Sequence, residues 1–209
     1  MIDVRPAAAR FETVQPGITT HQCLSSGAHY DPDNTAFGAL IAVDEHTLAP
    51  GAGFSRHGHR GIEIVSWVLA GTLRHEDSAG RVELVGPGPV LYQSAGSGIE
   101  HTERNASATE ALRFVQMWLL GETGRPAHAV TEPPLRADAG TFTVLRPSGP
   151  SQLPAAPLVH LYVARGAVRV AGETLGSGDS VRVRDEQVAI DGAGELLVWS
   201  MHQLNRVEA

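Results

Sequence analysis

Two short pairs constrain this chain more than any other feature: His57-Gly58-His59, and further on His101-Thr102-Glu103. Each places its chemistry-bearing residues at i and i+2, and on a β-strand those positions share one face. Two such pairs on neighbouring strands offer three imidazoles and one carboxylate to a single point inside a β-barrel. That donor set suits a divalent transition metal, with Fe(II), Mn, Ni, Cu and Zn all compatible. The remainder of the chain then reads as the scaffold that brings the two pairs together.

A chain of 209 residues suffices for one large β domain or two small ones. With 42% hydrophobic but only 5% aromatic residues, the core must be filled by Val, Leu, Ile and Ala. The 23 glycines and 13 prolines imply many turns and short elements, as in an all-β protein. A net charge of −7 argues against non-specific binding to nucleic acid or to an anionic membrane, and no DNA-binding motif is visible. No apolar run approaches the roughly 20 residues that span a bilayer, and the N-terminus lacks the basic-then-apolar pattern of a secretory signal. The single cysteine, Cys23, has no intramolecular partner, so a reduced, cytoplasmic setting is the expectation.

Along the chain, residues 9–24 read as an N-terminal arm with a strand near Thr13–Thr20, followed by a polar loop over residues 25–36 and a strand Phe37–Val43. Ile62–Leu69 is apolar on both faces and reads as a strand covered on both sides. Gly71–Glu76 and Arg81–Val85 form an expected hairpin around Asp77-Ser78-Ala79-Gly80. Val90–Gln93 and Ala111–Leu120 complete the strands around the second pair. The glycine- and proline-punctuated residues 121–139 read as a connector. Beyond it, Val159–Val163, Ala167–Val170, Ser180–Val183, Gln187–Ile190 and Glu195–Met201 read as five short strands. The expectation is an all-β chain of two barrels in tandem: residues 1–120 with the metal, then an abbreviated, metal-free barrel over residues 140–209.

The segment Gly51-x5-His57-x-His59-x3-Glu63 is similar to the first motif of the cupin superfamily, with the glycine expected after the glutamate one residue late, at Gly71. Gly86-x-Gly88 followed by His101 is similar to the second. The resemblance then narrows. HGHRGIEIVSWVLAGTLRHEDSAG, residues 57–80, looks like the HPHRGFETV-type signature of the pirin family with its following hairpin. GPGPVLYQSAGSGIEHTE, residues 86–103, resembles that family's PGD-x-QWMTAGSGI-x-H-x-E segment. The match is strong over about residues 37–120 and weak beyond, and in length the chain resembles the shorter bacterial pirin-like proteins. Two departures are Gly58 for the usual proline between the histidines and Pro89 for the usual aspartate in the turn.

What this resemblance implies is a pair of cupin-like barrels and one mononuclear metal, Fe(II) first among the candidates, held by His57, His59, His101 and Glu103. It also implies a quercetin 2,3-dioxygenase-like activity. Glu63 has the ordinary cupin spacing and is the alternative fourth ligand; with Glu103 on the metal, Glu63 is expected to orient an imidazole or a water. Four protein ligands leave positions for a small aromatic substrate and O2, with Glu103 as the catalytic base that takes the substrate's hydroxyl proton. Ile64, Trp67 and Met117 are expected in the apolar wall. The alternative is a non-enzymatic metal or redox sensor that binds a protein partner, since the family also includes nuclear transcriptional cofactors. His75, with Glu76 and Asp77, reads as a solvated hairpin end rather than a second acid–base cluster. His21, His29, His46, His128, His160 and His202 receive no role. Ala95-Gly96-Ser97-Gly98 reads as a tight turn aiming His101 and Glu103 inward, not as a phosphate loop.

Overall fold

The computed structural model describes residues 1–203; the last residues of the expected C-terminal barrel, 204–209, lie outside the described residues. The described chain is nearly all strand: β1 (Ile2–Arg5), β2 (Phe11–Gln15), β3 (Ile18–Gln22), β4 (Leu40–Leu48), β5 (Gly53–His59), β6 (Ile62–Ala70), β7 (Leu73–Asp77), β8 (Val82–Val85), β9 (Val90–Ser94) and β10 (Ile99–Asn105). These are followed by β11 (Leu112–Leu120), β12 (Ala127–Thr131), β13 (Leu135–Ala137), β14 (Gly140–Leu145), β15 (Ser151–Gln152), β16 (Leu158–Val170), β17 (Glu173–Gly176), β18 (Ser180–Arg184) and β19 (Ala189–Met201). Among the described residues two single-turn 3-10 helices, Ala7–Ala9 and Pro32–Asn34, interrupt them, and no helix there is long and apolar enough to cross a membrane.

The chain divides into two compact units. One comprises residues 11–36 and 40–132, the other residues 1–10, 37–39 and 133–209. The first, the N-terminal unit below, holds two antiparallel sheets, one in the order β12-β9-β6-β11-β4-β3-β2 and one in the order β5-β10-β7-β8. β6 and β11 lie mid-sheet and are buried almost throughout, as the two-sided apolar pattern of Ile62–Leu69 requires. β7 and β10 instead alternate strictly, burying Leu73, His75 and Asp77, and Ile99, His101, Glu103 and Asn105. Hydrogen bonds from Gln116 on β11 to Glu103 on β10, and from Gln93 on β9 to His75 on β7, join the inner faces of the two sheets.

The C-terminal unit is one eight-stranded sheet, β1-β18-β16-β19-β14-β13, with β15 on β19 and β17 on β16. Its core is Val, Leu and Ile, including Val159, Leu161, Val163, Val181, Val183, Leu196 and Val198. Several expected boundaries change. The first residues pair with the C-terminal unit, β1 along β18. The expected strand Phe37–Val43 is split: Phe37 packs under the Arg184 guanidinium, 4.8 Å from its ring centre, inside the C-terminal unit, whereas β4 begins at Leu40. The segment expected as a connector contains β12, paired with β9, and β13, paired with β14, because its alternating residues complete sheet edges. Four of the five short strands expected beyond residue 140 merge into two long ones, β16 and β19, which run on through a register shift between Val163 and Arg165.

Candidate metal centre

β10 lies between β5 and β7 and carries the second pair. His101 stands opposite His57 on β5, and Glu103 stands opposite His75 on β7. A register shift between His101 and Glu103 displaces the two along β5, so that Glu103 faces Phe54 there. The three imidazoles of the two pairs converge: ring centres are 4.5 Å apart for His57–His101 and 4.8 Å for both His57–His59 and His59–His101. His101 is fully buried and the other two are half-buried.

Each ring is prepared to lend a lone pair. His57 Nδ1 lies 2.7 Å from the Ser55 carbonyl, which can only accept, so Nδ1 carries the proton and Nε2 is left free. His57 Nε2 and His101 Nε2 face each other at 2.9 Å. Two imidazole nitrogens about 2.0–2.1 Å from a shared ion and at right angles to each other stand about 3 Å apart, so the spacing fits a common ligand. His59 Nε2 is buried without a hydrogen-bond partner among the described residues. Burial, reinforced by the neighbouring His57, lowers His59 to about 4, and burial with His57, His59 and His75 lowers His101 to about 2. Both are therefore neutral at physiological pH, as a metal ligand must be.

Glu103 is 2% exposed, and both its oxygens accept from Gln116 Nε2, at 2.9 and 3.0 Å. The orientation of that amide is set by Trp118, whose Nε1 donates to Gln116 Oε1 at 2.8 Å. Trp118 also packs edge-on against His59, ring centres 4.9 Å apart. Burial raises the Glu103 pKa, against the pull of Gln116 and His57. Among the described residues, two groups of ligand atoms lie within 4.8 Å of one another: His57, His59 and His101, and separately His75, His101 and Glu103. The three expected histidines thus meet, and Glu103 joins them through His101.

His75 is a correction to the sequence reading. Far from a solvated hairpin end, it is 1% exposed, with Asp77 at 5%. Its Nε2 accepts from the Gln93 amide at 3.3 Å, which leaves the proton on Nδ1, 4.0 Å from Glu103 Oε1. Strand alternation could have shown this, because Leu73, His75 and Asp77 share one face of β7. His128, given no role from sequence, lies 5.5 Å from His75 by ring centres.

Glu63 is a second correction. It was expected to orient an imidazole or a water, but Gly61, at φ +64°, turns the backbone between β5 and β6, so Glu63 need not share the face of His57 and His59. Alternation along β6 puts Glu63 on the face opposite Ser66, the side chain that meets Gln116 at 3.1 Å. The Glu63 carboxylate accepts instead from the Tyr92 hydroxyl at 2.5 Å. By the same alternation Trp67 and Met117 lie on the far face, and of the expected wall residues only Ile64 shares the face of Ser66. Gln116, Trp118 and Gln93 had no local signal in the sequence, since only the cross-strand register brings them to the pairs.

A cavity of about 660 Å³ reaches this cluster. Phe54, His57, Glu103, Gln116 and Trp118 form part of its lining, together with Thr20, Gln22, Asp44 and His46. Its volume lies within the usual range for sites that enclose a small organic ligand, about 300–1,000 Å³.

The comparisons with known proteins agree with this geometry. The family model described as Pirin matches residues 5–119. A Mycobacterium tuberculosis protein named "Putative quercetin 2,3-dioxygenase Rv0181c" is 37% identical over 232 aligned positions, covering 96% of this chain and 95% of that one. The protein named quercetin 2,3-dioxygenase of Escherichia coli K12 is 28% identical, covering 96% and 99%. The crystal structure of the bacterial pirin YhhW from Escherichia coli, in complex with nickel(II), superposes with a TM-score of 0.89 at 25% identity, covering 98% of this chain and all of that one. With its motifs, its all-β architecture and a family match over more than half its length, this chain belongs to the pirin family.

Proposed function

We propose that the protein is a metal-dependent dioxygenase that opens flavonol-like aromatic substrates with O2, with one divalent ion, Fe(II) first among the candidates, held by His57, His59, His101 and Glu103. The observation that carries this reading is the 660 Å³ cavity whose lining includes both His57 and Glu103. An organic ligand of flavonol size fits that volume. A purely structural metal site would have no use for such a space beside its ligands. The same cavity favours the enzyme over a sensor that acts only through a protein partner.

The bound ion would supply Lewis acidity and access to O2. The chain's own residues do the rest. Ser55 holds His57 in the tautomer whose Nε2 faces His101. Trp118 fixes the Gln116 amide, and Gln116 in turn fixes the Glu103 carboxylate. Trp118 and Phe54 cover part of the cavity with apolar surface and limit water around it. Glu103, whose carboxylate burial makes more basic, is the proposed acceptor of the substrate's hydroxyl proton. The names of the relatives support a small aromatic substrate.

The test is aerobic incubation of Fe(II)-loaded protein with quercetin, following loss of its visible absorbance with the product identified by mass. Turnover that disappears on chelation and in His101→Ala is the expected result. Absence of turnover with every divalent metal tried, in protein shown to be metal-loaded, would overturn it.

A further inference from the structure

The face of the sheet that looks into the cavity is more polar than metal ligation alone requires. Across β3, β4, β11 and β6, Gln22, Asp44, Gln116 and Ser66 stand in one register row. All four are buried. Three of them have partners: Gln22 receives the Thr13 hydroxyl at 2.9 Å, and Gln116 and Ser66 bond each other. Asp44 differs. It is 8% exposed, it lines the cavity, and its Oδ1 is buried with no hydrogen-bond partner among the described residues.

A buried carboxyl oxygen left unsatisfied is costly, and such a group in a native site calls for an explanation. Here the residue that carries the group lines the cavity. Asp44 sits directly across from Gln116, the residue that holds Glu103, so it lies about one strand spacing, roughly 4.8 Å, from the support of the proposed metal ligand. A ligand with one oxygen directed at the metal and a second hydroxyl farther along its ring system would meet both groups.

We infer that Asp44 is a substrate-binding residue that hydrogen-bonds a second hydroxyl of the substrate, so that the cavity selects polyhydroxylated aromatic compounds over those bearing only the metal-directed hydroxyl. This rests on the dioxygenase reading and assigns its specificity. A site built around a buried polar group rejects an analogue that lacks the matching hydroxyl, because the group is then left unpaired. Burial raises the Asp44 pKa to about 7, so near neutral pH it can either accept or donate toward that hydroxyl. His46, its neighbour two residues along β4, is engaged elsewhere, with Nδ1 on the Thr20 hydroxyl at 2.9 Å.

The experiment is an anaerobic binding titration of metal-loaded protein, monitored by ligand absorbance, with quercetin and with 3-hydroxyflavone, which keeps only the 3-hydroxyl. Wild type, Asp44→Ala and Asp44→Asn are compared, with metal content measured for each. Wild type should prefer quercetin. Asp44→Ala should lower that preference tenfold or more while changing 3-hydroxyflavone affinity less than threefold and leaving metal content intact. Asp44→Asn, which keeps the shape and can still hydrogen-bond, should fall between. An unchanged preference in both variants, or an equal loss for both ligands, would overturn the inference and leave the dioxygenase reading standing. A wild-type protein that binds and converts neither flavonol would overturn the dioxygenase reading, and this inference with it.

Discussion

In the C-terminal unit the core positions of β16, β18 and β19 carry Val159, Leu161, Val163, Val181, Val183, Leu196 and Val198, and the sheet is packed with aliphatic side chains. In the N-terminal unit the buried positions of β7, β10 and β11 include His75, Asp77, His101, Glu103 and Gln116. Both units are built from antiparallel sheets. What separates an aliphatic core from one that offers candidate metal ligands is which residues occupy the buried face. The difference also has an energetic side. Aliphatic burial stabilises without regard to detail, whereas each buried polar group must find a partner. The N-terminal unit provides such partners through Trp118, Gln116, Gln93 and Ser55; among the buried atoms it leaves without one in the described residues are His59 Nε2, in the proposed metal site, and Oδ1 of Asp44, a residue that lines the cavity.

The comparison can be broken at several points, the most severe first. His101 takes part in both clusters of ligand atoms, so His101→Ala should reduce metal affinity by more than about 100-fold, beyond the range typical of groups that only support ligands. Metal content after dialysis, measured by elemental analysis, checks this; full occupancy in the variant would place the ion elsewhere. In the other unit, Leu161 is fully buried in the aliphatic core, so Leu161→Ala should cost about 2–5 kcal/mol in urea unfolding. The same variant should keep its metal below the unfolding transition, and a parallel loss of metal would mean that the two interiors are not the separate devices described.

Gln116 tests how far the polar interior supports its ligand. Gln116→Leu removes the donor to both Glu103 oxygens and should weaken metal binding by about 10–100-fold, read by competition with a chelator. An effect below twofold would show that Glu103 is held by something else.

Histidine burial allows the two units to be compared through pH. His46 in the N-terminal unit and His160 in the C-terminal unit are each lowered to about 3, burial being the main cause in both. The unfolded chain takes up these protons near pH 6.5 and the folded one does not, so the stability that rests on the neutral rings is complete above pH 6.5 and is lost as pH falls toward 3. Each histidine contributes a slope of at most about 1.4 kcal/mol per pH unit over that window. Urea midpoints of His160→Gln at pH 6.5 and 4.5 should show a shallower acid loss than wild type. A slope equal to that of wild type would mean that His160 protonates without unfolding the unit. The smallest effect is expected at Gly58. A Cβ there would meet Glu100 Cγ and the Ile99 carbonyl at 3.7 Å, ordinary contact distances. Gly58→Ala should therefore leave metal content unchanged and stability equal or up to about 1 kcal/mol higher. A loss of metal would show that the glycine is required.

The all-β class and the meeting of His57, His59 and His101 were legible because alternation is local: the i, i+2 spacing needs no knowledge of the partner strand. The position of Glu63, expected to orient an imidazole or a water, was not legible in this way, because the turn at Gly61 separates the faces of β5 and β6. His75 looked like a hairpin end beside Asp77, although period-two counting from Leu73 puts it inside. Gln116 and Trp118 could not be found locally, since a glutamine and a tryptophan within an apolar strand acquire meaning only when β11 is set in register with β4 and β6. In the C-terminal unit, the expected strands end at Val163 and Ile190 and resume at Ala167 and Glu195, yet β16 and β19 continue through these gaps as paired strands with one register shift. Breaks in hydrophobic pattern mark bends as readily as ends.

The central claim is that one ion sits in the N-terminal unit on His57, His59, His101 and Glu103. Anomalous diffraction collected at the metal edge from crystals of the metal-loaded protein tests it most directly. The account predicts one strong peak per chain, within coordination distance of those four side chains, and none in the C-terminal unit. A peak held by His75, His101 and Glu103 without His57 and His59, or one ligated through His160, would contradict it.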